Sequence, residues 1–158
     1  DPVIFFEPKR RYYTRGHVAQ TPTLGLHQAR IARSGEEVTL ICYGPMVDTC
    51  LEAAKEASQE GRKLEVIDVR SLSPLDMATV YESVRRTTRA IVVQEAPRTQ
   101  GVGAEIAARL GEELYYVMEA PVLRVTGWST PYPPAKAEGE HIPDVDRILD
   151  AVDRSLAF

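Results

Sequence analysis

The stretch Val38-Thr39-Leu40-Ile41-Cys42-Tyr43-Gly44 runs directly into Pro45-Met46-Val47-Asp48-Thr49-Cys50-Leu51-Glu52-Ala53-Ala54-Lys55-Glu56-Ala57. Its first half, Val38 to Tyr43, is a near-continuous apolar run closed by a glycine. A run this short is a strand, and its lack of alternation implies burial on both faces. In the second half Val47, Cys50, Leu51, Ala54 and Ala57 recur at helical spacing, with Asp48, Glu52, Lys55 and Glu56 outside the stripe. Gly61 is placed to stop that helix. The pair is a strand feeding a helix, the repeating unit of a parallel sheet.

The same alternation continues downstream. Leu64 to Val69 reads as a strand, and Ser73-Pro74-Leu75-Asp76 as a helix start with Asp76 at its N-terminus. Met77, Val80, Tyr81 and Val84 form that helix's apolar face. Ala90 to Val93 is a third core strand, Gly101 to Leu110 a helix, and Pro121 to Thr126 a further strand. Trp128 to Pro134 is a proline-rich loop. A last helix carries Val145, Ile148, Leu149, Val152 and Leu156 on one face. Upstream, residues 25–33 read as a strand ending at Ser34-Gly35, with a loop around Gly16 and Pro22. Val3 to Phe6 reads as a short buried strand closed by Pro8. The expectation is an α/β fold: a three-layer, open, doubly wound, mostly parallel sheet flanked by helices, forming a single domain over residues 1–158. Because the chain opens Asp1-Pro2-Val3 without Met and enters a strand at once, we expect it to have been cut at a domain boundary.

Composition narrows the function classes. With 158 residues, 44% apolar and 27% charged, the chain suits one globular core. A formal charge of -4 does not favour nucleic acid. No apolar run is long enough to cross a bilayer, and no basic-then-apolar leader is present. Cys42 and Cys50 match neither a zinc spacing nor a CxxC pair. A reducing compartment is expected: bacterial cytoplasm, or mitochondrial matrix if eukaryotic.

Candidate chemistry is sparse. Gln94-Glu95-Ala96-Pro97-Arg98-Thr99-Gln100-Gly101-Val102-Gly103-Ala104-Glu105 follows a strand and opens a helix, so its glycines and free N–H groups offer a phosphate site. Neither GxGxxG nor GxxxxGK[ST] is present, and the preferred reading is a tight turn with close helix–sheet packing. His17, His27 and His141 have no metal spacing and read as surface or loop residues. No serine sits in a GxSxG elbow. Cys42 and Cys50 read as core filling. The basic, aromatic run Lys9 to Arg15 reads as solvated surface or subunit interface. Arg85, Arg86 and Arg89 suit a helix C-terminus. The Trp128 loop is either a contact surface or wrapped on its own core. The residues offer no catalytic, cofactor-binding or metal constellation.

Several phrases together resemble one family. Asp1 to Arg10 and Glu65-Val66-Ile67-Asp68-Val69-Arg70-Ser71-Leu72-Ser73-Pro74-Leu75-Asp76 look like the C-terminal domain of 2-oxo acid dehydrogenase E1 component β subunits, of branched-chain or pyruvate type. Val93-Gln94-Glu95-Ala96-Pro97, Gly101 to Glu105, Arg124-Val125-Thr126-Gly127, Thr130-Pro131-Tyr132-Pro133 and Pro143 to Leu149 follow in the family's order. Ser129 departs from it, standing where relatives often carry Asp.

The resemblance implies the transketolase C-terminal fold. It implies an α2β2 oxidoreductase that decarboxylates a 2-oxo acid on thiamine diphosphate with magnesium and passes the acyl group to a lipoyl group. The cofactor is expected between the α subunit and the pyrimidine-binding N-terminal domain of β, which this chain lacks, so the fragment alone is expected to be inactive. The expected partners are the E1 α subunit, a second β subunit, and the subunit-binding domain of the dihydrolipoyl acyltransferase, with no nucleic acid and no membrane. By that resemblance Glu119, in Met118-Glu119-Ala120-Pro121, and the last residue Phe158 are the docking candidates. Glu7-Pro8-Lys9-Arg10 leans toward a branched-chain substrate. Two alternatives stay open: the same domain of another thiamine enzyme, of transketolase or deoxyxylulose-phosphate synthase type, and a free-standing flavodoxin-like phosphate-binding module.

Overall fold

The computed structural model describes residues 2–16 and 24–158. Five strands form one sheet: β1 (Arg30–Arg33), β2 (Val38–Cys42), β3 (Leu64–Asp68), β4 (Ala90–Pro97) and β5 (Leu123–Gly127). The helices are α1 (Met46–Gln59), α2 (Met77–Thr87), α3 (Val102–Leu114), the short α4 (Glu138–His141) and α5 (Val145–Leu156). The spatial order is β1-β3-β2-β4-β5, all pairs parallel except the antiparallel β1–β3 edge.

The order follows from the connections. The chain leaves β2 through α1 to β3 on one side, then returns through α2 to β4 on the other. Right-handed crossovers in opposite directions put their helices on opposite faces. Accordingly α1 and α5 cover one face, packing on Val38, Leu40, Leu64, Val66, Ile91 and Val93. Helices α2 and α3 cover the other, against Ile41, Ile67, Val69, Ala90 and Val92. Successive strand residues thus alternate between two buried layers, which is why every residue of β2 is buried. Each fully buried Leu or Ile side chain contributes roughly 1.5–3 kcal/mol of transfer free energy.

Local signals set the helix ends. The Asp76 carboxylate accepts hydrogen bonds from the Thr79 N–H (3.2 Å) and hydroxyl (2.7 Å), capping α2, and from the Ala29 N–H (2.9 Å). Burial acts to raise its pKa, but those three donors outweigh it and hold the carboxyl below its ordinary value. Asp144 caps α5 by accepting from the Arg147 N–H at 2.8 Å. Gly61, at φ +83, ends α1 with the Arg62 N–H returning to the Ala57 carbonyl at 3.0 Å.

One buried polar network crosses the α2 face. Glu65 on β3 is 1% exposed. It accepts from Arg86 NH2 at 2.6 Å to both carboxylate oxygens, and from the Ser83 hydroxyl. Thr39 is hydrogen-bonded with Ser83 (2.8 Å) and Thr87 (2.7 Å). Arg85 pairs with Glu113 at 2.8 Å. The arginines at the α2 C-terminus are therefore structural, as their helix position suggests.

Three expectations are corrected. Val3 to Phe6 is neither strand nor buried: its four side chains are 78–88% exposed. An apolar run is buried only between two layers, and among the described residues β1 and β5 each pair on one side only, neither with this segment. The strand expected over residues 25–33 shrinks to Arg30–Arg33, because the Gln28 side chain and main chain close a turn on Gly25 (2.8 and 3.2 Å). His141 is buried, not on the surface. It packs edge-on to Tyr132 at 5.2 Å, and a Cβ on Gly127 would fall 2.8 Å from its Nε2. His17 and the loop at Pro22 lie outside the described residues. Arg11, in the basic run, is tied down: it donates to the Pro45 carbonyl and pairs with Asp48 at 3.0 Å, at the start of α1.

Candidate docking surface

The glycine turn before α3 is filled from within. Gln94 on β4 is fully buried. Its Oε1 accepts from the Gly103 N–H at 2.7 Å, and its Nε2 donates to the Pro97 (2.9 Å) and Ala96 (3.3 Å) carbonyls. A Cβ on Gly101 would lie 2.1 Å from that Nε2, and one on Gly103 2.7 Å from Oε1. The glycines are there so that the helix can approach this amide, and the N–H a phosphate would take already has its acceptor. The tight-turn reading holds. Among the described residues no three His, Cys, Asp or Glu side chains are grouped to hold a metal. With Gln94 on the Gly103 N–H, the glycine turn itself does not fit a diphosphate group.

Exposed chemistry gathers instead where α3 runs out. Leu114, buried, anchors the helix end, and the Val117 and Met118 N–H groups fold back to its carbonyl (2.8 and 3.1 Å). The turn pushes Tyr115 and Tyr116 outward, 71% and 97% exposed, in edge-on contact at 5.1 Å. The Glu119 N–H then donates to the Thr88 carbonyl at 3.0 Å, which fixes the residue's backbone beside α2. A groove of ≈ 460 Å³ results, lined by Gly111, Tyr115, Met118, Glu119, Pro121 and Val122.

The Glu119 side chain is 57% exposed but not a free acid. Arg89, only 18% exposed, donates from NH1 to Glu119 Oε2 at 2.5 Å, while its Nε donates to the Ser155 carbonyl at 3.1 Å. One guanidinium therefore ties Glu119 to the last turn of α5, which leads to Phe158, itself 72% exposed. Arg89 thus links Glu119 to a residue three positions before Phe158, although 39 positions of sequence separate the two docking candidates. Sequence reasoning placed Arg89 at a helix terminus and missed this role, and it missed Tyr115 and Met118 as groove walls. The exposed Tyr115-Tyr116 pair after a helix was the available signal.

The loop after β5 is partly wrapped and partly open. Trp128 Nε1 donates to the Glu140 carbonyl at 2.8 Å, and the Tyr132 hydroxyl to Glu138 Oε1 at 2.9 Å, yet the two rings are 54% and 60% exposed. Ser129 is hydrogen-bonded with Thr99 at 3.2 Å, joining this loop to the turn after β4.

A mostly parallel five-stranded sheet with one antiparallel edge, covered by helices on both faces, defines an open doubly wound α/β domain. The profile of the family described as "Transketolase, C-terminal domain" matches residues 27–148, and the chain belongs to that family. It is 54% identical over 160 aligned positions to the pyruvate dehydrogenase E1 component subunit beta of Leifsonia xyli subsp. xyli, covering 100% of this chain and 47% of that one. It is 49% identical to the 3-methyl-2-oxobutanoate dehydrogenase subunit beta of Mycobacterium tuberculosis, covering 99% and 45%. Among solved structures, a split gene transketolase described as an inactive beta4 tetramer superposes with a TM-score of 0.76 at 25% identity, over 89% of this chain and 45% of that one. The chain spans about half the length of the relatives it matches.

Proposed function

We propose that this chain is the C-terminal assembly and docking domain of the β subunit of a thiamine-diphosphate-dependent 2-oxo acid dehydrogenase. The observation that carries this reading is the identity of 54% and 49% to two such β subunits, running over essentially the whole chain. In this reading the intact enzyme oxidatively decarboxylates a 2-oxo acid and hands the acyl group to a lipoyl group on the dihydrolipoyl acyltransferase. Catalytic groups and cofactor sit in the α subunit and in the N-terminal domain of β, and this domain alone turns over nothing. A relative named for pyruvate and one named for a branched-chain acid match to similar degrees. That supports placing substrate choice outside this domain, so the branched-chain expectation from Glu7 to Arg10 is widened here to a 2-oxo acid.

Within the domain, Glu119 and Phe158 meet the subunit-binding domain of the acyltransferase. Three features support the assignment: an apolar groove, exposed aromatic edges, and a carboxylate held in place by Arg89 with one oxygen still open to a cation. Charge-assisted hydrogen bonds to a carboxylate gain strength when the surrounding rings exclude water. The experiment is calorimetric titration of the protein with the acyltransferase subunit-binding domain from the same source. Glu119→Gln and deletion of Phe158 should each weaken binding about tenfold or more, the loss of one charge-assisted contact. Parent-like affinity in both variants would refute the site, and no binding by the parent would refute the docking role.

A further inference from the structure

Between β5, the open edge of the sheet, and α5 lies a cleft of ≈ 540 Å³. Four guanidiniums line it, from Arg98, Arg124, Arg147 and Arg154, against two carboxylates, Asp146 and Asp150. The excess is positive, in a chain whose formal charge is -4. Arg154 pairs with Asp150 at 3.7 Å one helical turn away. The other three donate to carbonyl oxygens instead. Arg98 NH1 donates to the Arg124 carbonyl (3.3 Å) and Arg124 NH1 to the Arg98 carbonyl (3.1 Å). Arg147 donates to the Thr126 and His141 carbonyls and stacks on the Trp128 ring, 4.6 Å from its centroid. Among the described residues, none of these three guanidiniums has a carboxylate within 4.0 Å.

The reciprocal bonds hold each of the two guanidiniums against the other residue's main-chain carbonyl, a neutral acceptor that leaves its charge uncompensated. Each bond occupies one terminal nitrogen and leaves the remaining N–H groups of the fork unspent. We propose that this cleft is a binding site for a phosphate group, seated on Arg98 and Arg124 with the half-exposed Trp128 and its stacked Arg147 as the adjoining wall. A single carboxylate satisfies one guanidinium fork, whereas a tetrahedral dianion presents enough oxygens and charge for two. Asp146 and Asp150 on the α5 wall repel an extended polyanion such as a nucleic-acid backbone and confine the anion to the β5 side. Nothing in the docking assignment bears on this site, which is built from different residues.

Trp128 is the chain's single tryptophan, so its fluorescence reports on this cleft alone. The protein is titrated with inorganic phosphate at constant ionic strength, with chloride as the balancing anion. A saturable change is expected with phosphate and sulfate. In Arg98→Gln and Arg124→Gln the midpoint should rise about tenfold, the loss of one charge-assisted contact. Arg109→Gln, on α3 and paired with Glu105, should bind like the parent. If Arg124→Gln fails to fold by circular dichroism, Arg98→Gln decides. Glycerol 3-phosphate binding as tightly as inorganic phosphate assigns the site to the phosphate end of a larger ligand. Weaker binding assigns it to the free ion. A response no different from chloride, a parent-like midpoint in Arg98→Gln, or saturation by malonate and not by phosphate would overturn the proposal.

Discussion

Arg86→Met leaves the Glu65 carboxylate in a buried site without its guanidinium. The structure allows the cost to be worked out. Glu65 is 1% exposed, while the Arg86 side chain is 53% exposed. Removing one partner of a fully buried pair costs roughly 3–5 kcal/mol, because the remaining charge is stranded. The outer half of Arg86 is wetted and screened, so the expected loss is about 2–3 kcal/mol. That corresponds to a fall in Tm of roughly 4–12 °C for a domain of this size. The asymmetry of exposure gives a sharper expectation. Glu65→Gln leaves only a half-exposed arginine, which water re-solvates, and its amide still accepts from Ser83. It should cost about 1–2 kcal/mol, less than Arg86→Met. The double variant should cost less than the sum of the two, with a coupling of at least about 1 kcal/mol. Urea unfolding followed by Trp128 fluorescence measures all three. An Arg86→Met loss below about 0.5 kcal/mol, or a Glu65→Gln loss exceeding it, would refute the reasoning.

Three further outcomes follow from particular contacts. Gly101→Ala and Gly103→Ala push a methyl into the Gln94 amide and should each cost about 1–3 kcal/mol by thermal melting, Gly101→Ala the more because its Cβ falls closer. Asp76→Ala removes the α2 cap and the Ala29 anchor and should cost about 1–2 kcal/mol near neutrality. The folded-state pKa of Asp76 lies below its unfolded value, so its contribution is complete above the ordinary carboxylate pKa of about 4 and is lost as pH falls through the lower folded value. The gap between parent and variant should close in acid, and a gap independent of pH would refute that role. The Cys42 thiol, which donates to the Ile67 carbonyl at 3.3 Å, is pushed well up by the neighbouring Cys50 thiol and by burial. Both thiols are fully buried. Neither should react with a thiol reagent in the native protein, and both should react at the rate of unfolding in urea.

The relation of sequence to site differs from element to element. Strands β2, β3 and β4 were legible because each is an apolar run cut off by a turn, and burial on both faces leaves no other reading. Helices α1, α2 and α5 were legible from a single stripe. The segment Val3 to Phe6 carries the same signal and yet is exposed. An apolar run states that a residue wants burial, not which layer provides it. For the glycine turn, the pattern GVG specified close backbone approach. Only the structure showed that the approaching group is Gln94 and not an anion.

By itself, the sequence determined the alternation of strands and helices, the two-sided burial of the sheet, the helix start at Asp76, and the family phrases. All of these are written within one element or its immediate neighbours. The tertiary structure decided that β1 runs antiparallel at the edge, that Arg89 joins Glu119 to the end of α5, and that Arg98 meets Arg124 beside Trp128. Those contacts join residues 26 to 66 positions apart. Their partners are chosen by the strand order and by the faces to which the crossovers send their helices, and no local pattern of residues encodes that choice.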